Sequence, residues 1–178
     1  MDTGSDVIKV QCQPCNMCYK QADPVFNPAT SASYTVVPCG SPAFDAFLVN
    51  DHHCYIGKCG YEVNYTDGSY TKGTLMLEML TLGQTRILNL AMGCGHNSQG
   101  SFNVIARLLG LGGSIMSFIN QIPETGGALS YCLLSYRSIS PSVVNIWAWS
   151  GWSISSRCYM GTVGNVIIAV LVSIITSP

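Results

Sequence analysis

Charge is scarce in this 178-residue chain. Only 10% of its residues are Asp, Glu, Lys or Arg, where an ordinary soluble domain carries about 25%. Eight Lys and Arg stand against nine Asp and Glu, a formal net charge of -1. That balance excludes a nucleic-acid binder, because displacing counterions from phosphates needs clustered cations. With 48% hydrophobic residues, the composition also excludes a disordered chain or a charged coiled coil. No basic segment leading into an apolar run follows Met1, so no signal peptide is expected within these residues.

The charge is also unevenly placed. All nine carboxylates precede Arg137, and beyond that residue only Arg157 is charged. The same tail holds all three tryptophans (Trp147, Trp149 and Trp152) and ends in the apolar run 166–175. A membrane-spanning helix needs about 20 consecutive apolar residues. The uncharged stretch 158–178 reaches that length only by including Gly161, Thr162, Gly164, Asn165 and Ser173. A buried strand or a loosely folded appendage is therefore expected there, not a span. The break divides the chain into a domain at 1–137 and a divergent low-charge tail at 138–178.

Cysteine, by contrast, is plentiful. There are nine, six of them between residues 12 and 59, which points to an oxidising compartment and local cross-links. The odd number leaves at least one thiol without a partner in the chain. Cys12, Cys15 and Cys18 are spaced C-x2-C-x2-C, which also invites a zinc site completed by His52, His53, Cys54 or Cys59.

Residues 1–137 read as all-β, with short apolar stretches punctuated by Gly, Pro, Asn and Asp. A strand is expected at 7–11. In the next hairpin Tyr61, Val63 and Tyr65 alternate with polar residues, Asp67 and Gly68 make the turn, and 74–82 is the return strand. Further strands are expected at 87–92 and 108–111, and a short helix at 117–122 stopped by Pro123. Met76, Met79 and Met92 are assigned to the core, and His96 has no neighbour that would make it catalytic.

Asp2, Thr3, Gly4 and Ser5 place a carboxylate at the start of a tight turn of small, hydroxyl-bearing residues. The apolar stretch 7–10 follows, then the Tyr65-Thr66-Asp67-Gly68-Ser69 hairpin, then Leu108-Leu109-Gly110-Leu111-Gly112 and Gly126-Gly127-Ala128-Leu129-Ser130-Tyr131-Cys132. In this order and spacing the chain resembles the N-terminal lobe of the pepsin-like aspartic endopeptidases (family A1), in their plant nepenthesin-type branch. The resemblance covers about residues 1–135. It implies an all-β lobe with a short helix, an irregular cysteine-rich insertion at about 12–59 and a flap hairpin at about 60–82. It implies that Asp2 is a catalytic aspartate supported by Thr3, Gly4 and Ser5, and that Tyr65, Asp67, Gly68 and Ser69 form the flap over bound peptide. Cys12, Cys15, Cys18, Cys39, Cys54, Cys59, Cys94 and Cys132 become disulfide candidates, which displaces the zinc reading, and neither metal nor cofactor is expected.

The chain also departs from that pattern. Lys9 replaces the tryptophan that hydrogen-bonds the flap tyrosine in the family, and Thr66 replaces a glycine, creating the N-glycosylation acceptor Asn64-Tyr65-Thr66. Arg107 stands where a glycine is expected. Phe44 stands where a cysteine is expected, so one of Cys39, Cys54 or Cys59 should be the orphan. The family's chemistry needs two facing aspartates, and residues 132–178 contain no Asp. The expected function is thus aspartic-type peptide hydrolysis, incomplete in this chain and needing a second lobe or a second copy. The alternatives are a non-catalytic lobe that holds peptide or protein, and a truncated product. The disulfides and the resemblance imply the secretory pathway or the exterior.

Overall fold

The computed structural model describes residues 1–41, 45, 53–55, 57–82, 84–123, 130–132 and 143–145. Phe44, His52, residues 124–129, the three tryptophans and the apolar run 158–178 fall outside them. Strands dominate: β1 (Lys9–Gln11), β2 (Thr35–Val36), β3 (His53–Tyr55), β4 (Lys58–Asn64), β5 (Tyr70–Leu82), β6 (Thr85–Gln99), β7 (Arg107–Leu108), β8 (Ser130–Cys132) and β9 (Val143–Asn145). The first seven make one sheet in the order β3-β4-β5-β6-β1-β7, with β2 added beside β5, and β8 pairs with β9 separately. The latter pairing joins residues on the two sides of the charge break at Arg137.

Pairing is antiparallel except between β1 and β6, where Lys9, Val10 and Gln11 lie opposite Gly93, Cys94 and Gly95 in parallel. Successive side chains of a strand point to opposite faces, and the sheet accordingly separates two apolar layers. Ile8, Val10, Met76 and Met92 pack with Leu109 and Phe118 on one side. Val7, Tyr61, Leu75 and Ala91 pack with Val37 and Met116 on the other. Lys9 and Gln11 share the face of Val7, which leaves two polar side chains almost fully buried.

The long β5–β6 pair slips register at Lys72/Gly73 and again at Glu78/Leu80. The second irregularity takes Met79 out of the ladder. Met79 is only half-buried, unlike the fully buried Met76 and Met92, and Glu78 is buried instead. Its carboxylate accepts hydrogen bonds from the hydroxyls of Ser31 and Ser33 and from the Met79 N–H. A buried carboxylate survives there because its lone pairs are occupied.

Among the described residues three disulfides join Cys12 to Cys94, Cys15 to Cys18 and Cys39 to Cys54, with Cα separations of 5.3, 6.0 and 5.8 Å. Their sulfurs are bonded to one another, so the C-x2-C-x2-C run offers no thiolates. Cys59, one of the disulfide candidates, is instead free and buried, and burial pushes its thiol up to about 11. It lies opposite Cys54 in the β3–β4 register, but Cys54 is already bonded to Cys39.

The helix expected at 117–122 is a run of turns. Its polar groups are drawn to other partners: the Asn120 amide donates to the Gly113 and Ser114 carbonyls, and the Gln121 side chain exchanges two hydrogen bonds with the Ala91 backbone. Phe118 N–H donates to Gly110 O at 2.9 Å, outside any helical pattern. Side chains that bond locally to backbone compete with the helix.

The Cys12–Cys94 bridge spans 82 residues and clamps β1 to β6 at the centre of the sheet. Chain-entropy reasoning assigns a loop of that size about 4 kcal/mol. Urea unfolding should show a loss of that order in Cys12→Ala/Cys94→Ala. Cys15→Ala/Cys18→Ala, which opens a three-residue separation, should lose less than half as much.

Candidate active site

Asp2 is drawn into the sheet by the backbone on both of its sides. Its N–H donates to Leu109 O at 2.9 Å and its carbonyl accepts from Leu111 N–H at 2.8 Å, making a parallel bridge to Gly110. The site requires glycine at 110, because a Cβ there would stand 2.2 Å from Asp6 O. The neighbouring turn is tied down by Gly112 N–H donating to Ser5 O and Ser114 N–H to Asp6 Oδ1, both at 2.9 Å.

Within this frame the Asp2 carboxylate is buried, and both of its oxygens are addressed. Gly4 N–H donates to Oδ1 at 2.9 Å and the Ser5 hydroxyl to Oδ2 at 2.5 Å. Hydrogen bonds to an ionised acceptor are the strong ones, so Asp-Thr-Gly-Ser forms a local cradle that fixes the orientation of one carboxylate.

The 65–69 hairpin closes by Gly68 N–H donating to Tyr65 O at 3.0 Å and Tyr65 N–H to Ser69 O at 2.8 Å, with φ of 83° at Gly68. Asp67 braces it: Oδ1 accepts the Ser69 N–H and Oδ2 its hydroxyl, both at 2.9 Å, and these bonds hold the Asp67 carboxyl below the usual range. Ser69 Oγ in turn accepts the Ser101 N–H at 2.9 Å, which fastens the hairpin to the segment before Phe102. Asn64 is exposed at the end of β4 with its amide donating to Glu62, and Thr66 is exposed as well.

Under the hairpin lies an aromatic cluster. Tyr65 meets Phe102 at 85° and 5.6 Å, and Phe102 stacks on Tyr19 at 4.7 Å. The Tyr65 hydroxyl is buried without a hydrogen-bond partner, and burial raises its pKa, with smaller contributions from Tyr61 and from the charge of Asp2. Lys9 is 1% exposed, and its Nζ also lacks a partner; it sits 3.2 Å from the Phe102 ring centroid and 5.0 Å from that of Tyr19. Lys9 Nζ and the Tyr65 hydroxyl, on either side of Phe102, both go without a hydrogen bond.

His96 is fully engaged, with Nδ1 2.9 Å from Pro14 O and Nε2 3.2 Å from the Thr74 hydroxyl. Arg107 pairs with the exposed Asp23 at 2.9 Å. No group of three or more metal-ligating side chains occurs among the described residues, and no helix among them is long and apolar enough to cross a membrane. Cys132 lies in β8. Sequence reasoning passed over Phe102, Tyr19 and Ser101, which lie in irregular segments with no periodicity to mark them.

An open β lobe with an aspartate cradled in a turn bridged to Gly110 and a tyrosine-bearing hairpin has the features of half of a pepsin-like aspartic protease. Comparison with known proteins agrees. The xylanase inhibitor N-terminal family model matches residues 1–146. A protein of Arabidopsis thaliana, ASPARTIC PROTEASE IN GUARD CELL 2, is 57% identical over 136 residues, covering 76% of this chain and 28% of that protein. Aspartic proteinase nepenthesin-1 of Nepenthes gracilis is 41% identical over 143 residues, 80% of this chain and 32% of its own length. The basic 7S globulin of soybean has the same fold, with a TM-score of 0.58 at 16% identity, covering 84% of this chain and 42% of that one. The chain therefore belongs to the xylanase inhibitor N-terminal family, as the N-terminal lobe of a plant pepsin-like aspartic protease of the nepenthesin type. It spans about a third of the length of the curated relatives it matches.

Two substitutions test this geometry. Gly110→Ala should lower stability by about 3 kcal/mol, at the upper end for overpacking, while Gly113→Ala, with nothing within 4 Å, should change it by less than about 0.5. Burial pushes the Lys9 amine down to about 7, whereas the unfolded chain keeps that proton to about pH 10.4. Between those values the unfolded state binds more protons, so stability climbs with pH, and below 7 the full cost of about 5 kcal/mol stands. A cation–π contact offsets about 2 kcal/mol at most, so desolvation wins. Lys9→Met should therefore raise the unfolding free energy at pH 6 by up to about 5 kcal/mol, with the gain narrowing toward pH 10. A variant less stable than the parent at pH 6 would contradict this.

Proposed function

We propose that this lobe supplies one of the two aspartates of a peptide-hydrolysing site, with Asp2 as the catalytic carboxylate. The observation that carries the reading is the cradle itself: both Asp2 oxygens are held by the Gly4 amide and the Ser5 hydroxyl, and the charge of Asp2 bears on Tyr65 of the flap. Thr3 and Gly4 complete the motif, while Asp67, Gly68 and Ser69 shape the hairpin over the substrate.

Two carboxylates facing each other share one proton, because like charges at that distance do not both ionise. The ionised one takes a proton from water as it attacks, and the protonated one hydrogen-bonds the scissile carbonyl. One carboxylate cannot perform both roles, so Asp2 works with an aspartate from a second lobe or a second copy. Substrates are peptides or proteins laid beneath the flap, met outside the reducing cytosol, where the three disulfides persist. Within the chain we assign 1–137 to the lobe, with its insertion at about 12–59 and its flap at about 60–82, and treat 138–178 as an appended tail that lends β9 to β8.

The test is a peptidase assay at acidic pH. The chain alone should be inactive. Refolded with an aspartate-bearing second lobe from a plant relative, it should cleave peptide in a pepstatin-sensitive manner, and Asp2→Asn should abolish at least about 1,000-fold of that rate. Cleavage that survives Asp2→Asn would overturn the assignment.

A further inference from the structure

A buried amine with no hydrogen-bond partner is costly, and one placed beneath a moving element has a way to escape that cost. Lys9 Nζ lies against the face of Phe102, the ring on which Tyr65 of the flap rests. The segment carrying Phe102 is fastened to the flap by Ser101 N–H donating to Ser69 Oγ. The amine is thus covered by Phe102 and the hairpin fastened to it, and lifting the two together would expose it to water.

We propose that Lys9 is the positioning residue of the flap, which it holds closed as the neutral amine and releases as the ammonium ion. The proposal rests on the reading of 65–69 as a flap, and extends it to how the flap is controlled. The balance is that of a single proton: it is taken from solvent by Nζ when the flap opens and returned when it closes. Charge inside the closed cluster meets two aromatic faces but no carboxylate, and burial alone governs its titration.

Other titratable groups around the cluster do not change charge in the same range. Tyr19, from the loop after β1, is pushed up to about 12, and burial raises Tyr61 of β4 and Tyr65 of the flap as well, so all three phenols stay neutral. Asp67, held below the usual carboxylate range by its hydrogen bonds from Ser69, keeps its charge throughout. Across the ladders Lys9 faces Gly93 of β6 and Leu108 of β7, neither of which titrates. The closed site holds the proton only below about 7 and the open one to about 10, so opening becomes easier as pH falls through this window and levels off below it.

Hydrogen exchange of amides 65–69 in the intact chain, measured from pH 5 to 9 and corrected for intrinsic rates, tests this. Flap protection should be flat up to about pH 6.5 and should rise at least about tenfold between pH 7 and 9. Lys9→Met, with no charge, should abolish the rise, and Lys9→Arg, charged throughout, should stay at the low acid-side protection across the range. A flat wild-type profile, a Lys9→Met profile with the same rise, or a Lys9→Arg profile that follows the wild type would each overturn the proposal. The readout needs neither catalysis nor a second lobe. Failure here therefore stays separate from failure of the protease reading.

Discussion

No side chain fits at position 110, and the site is built on that exclusion. The two backbone hydrogen bonds that bridge Asp2 to the segment 109–111 bring the chain so close that a Cβ on Gly110 would overlap the Asp6 carbonyl. Without the bridge, the Gly4 and Ser5 donors would have no fixed carboxylate to address. With it, Asp2 is buried and oriented. The Cys12–Cys94 disulfide reinforces the same centre by fixing β1, which continues from the Asp2 turn, to the long strand β6.

Against this rigid base stands a hairpin whose packing is deliberately incomplete in its polar bonds. Most buried polar groups in proteins find partners, and Glu78 illustrates the rule with three donors. Lys9 and the Tyr65 hydroxyl break it side by side around Phe102. The desolvation of Lys9 is comparable in size to what the longest disulfide contributes, so it is a large term for a marginally stable domain.

Much of this arrangement was legible in the residues. Alternation at Tyr61, Val63 and Tyr65 with a turn at Asp67 and Gly68 marked the hairpin, because period-two patterning and positive-φ residues have direct backbone consequences. The order of the Asp2 motif, the hairpin and the Leu108–Gly112 stretch identified the family. What was not legible depended on tertiary contact. Residues 117–122 carry a helical pattern, yet Asn120 and Gln121 spend their amides on loop and β6 backbone. Met79 looked like core until the register slip displaced it. Lys9 was recognised as a substitution, but its cage of Phe102 and Tyr19 comes from loops with no periodic signal. Which cysteine was left over could not be decided by counting, and the geometry leaves Cys59.

The central claim is that the cradled Asp2 carboxylate and the Tyr65 hairpin are two walls of one peptide-binding cleft. A crystal structure of this lobe assembled with an aspartate-bearing partner lobe, and bound to a peptide isostere carrying a central hydroxyl, tests it most directly. The account predicts the hydroxyl within hydrogen-bond distance of an Asp2 oxygen and the peptide backbone beneath residues 65–69. An inhibitor seated elsewhere, with Asp2 bonded only to Gly4 and Ser5, would contradict it.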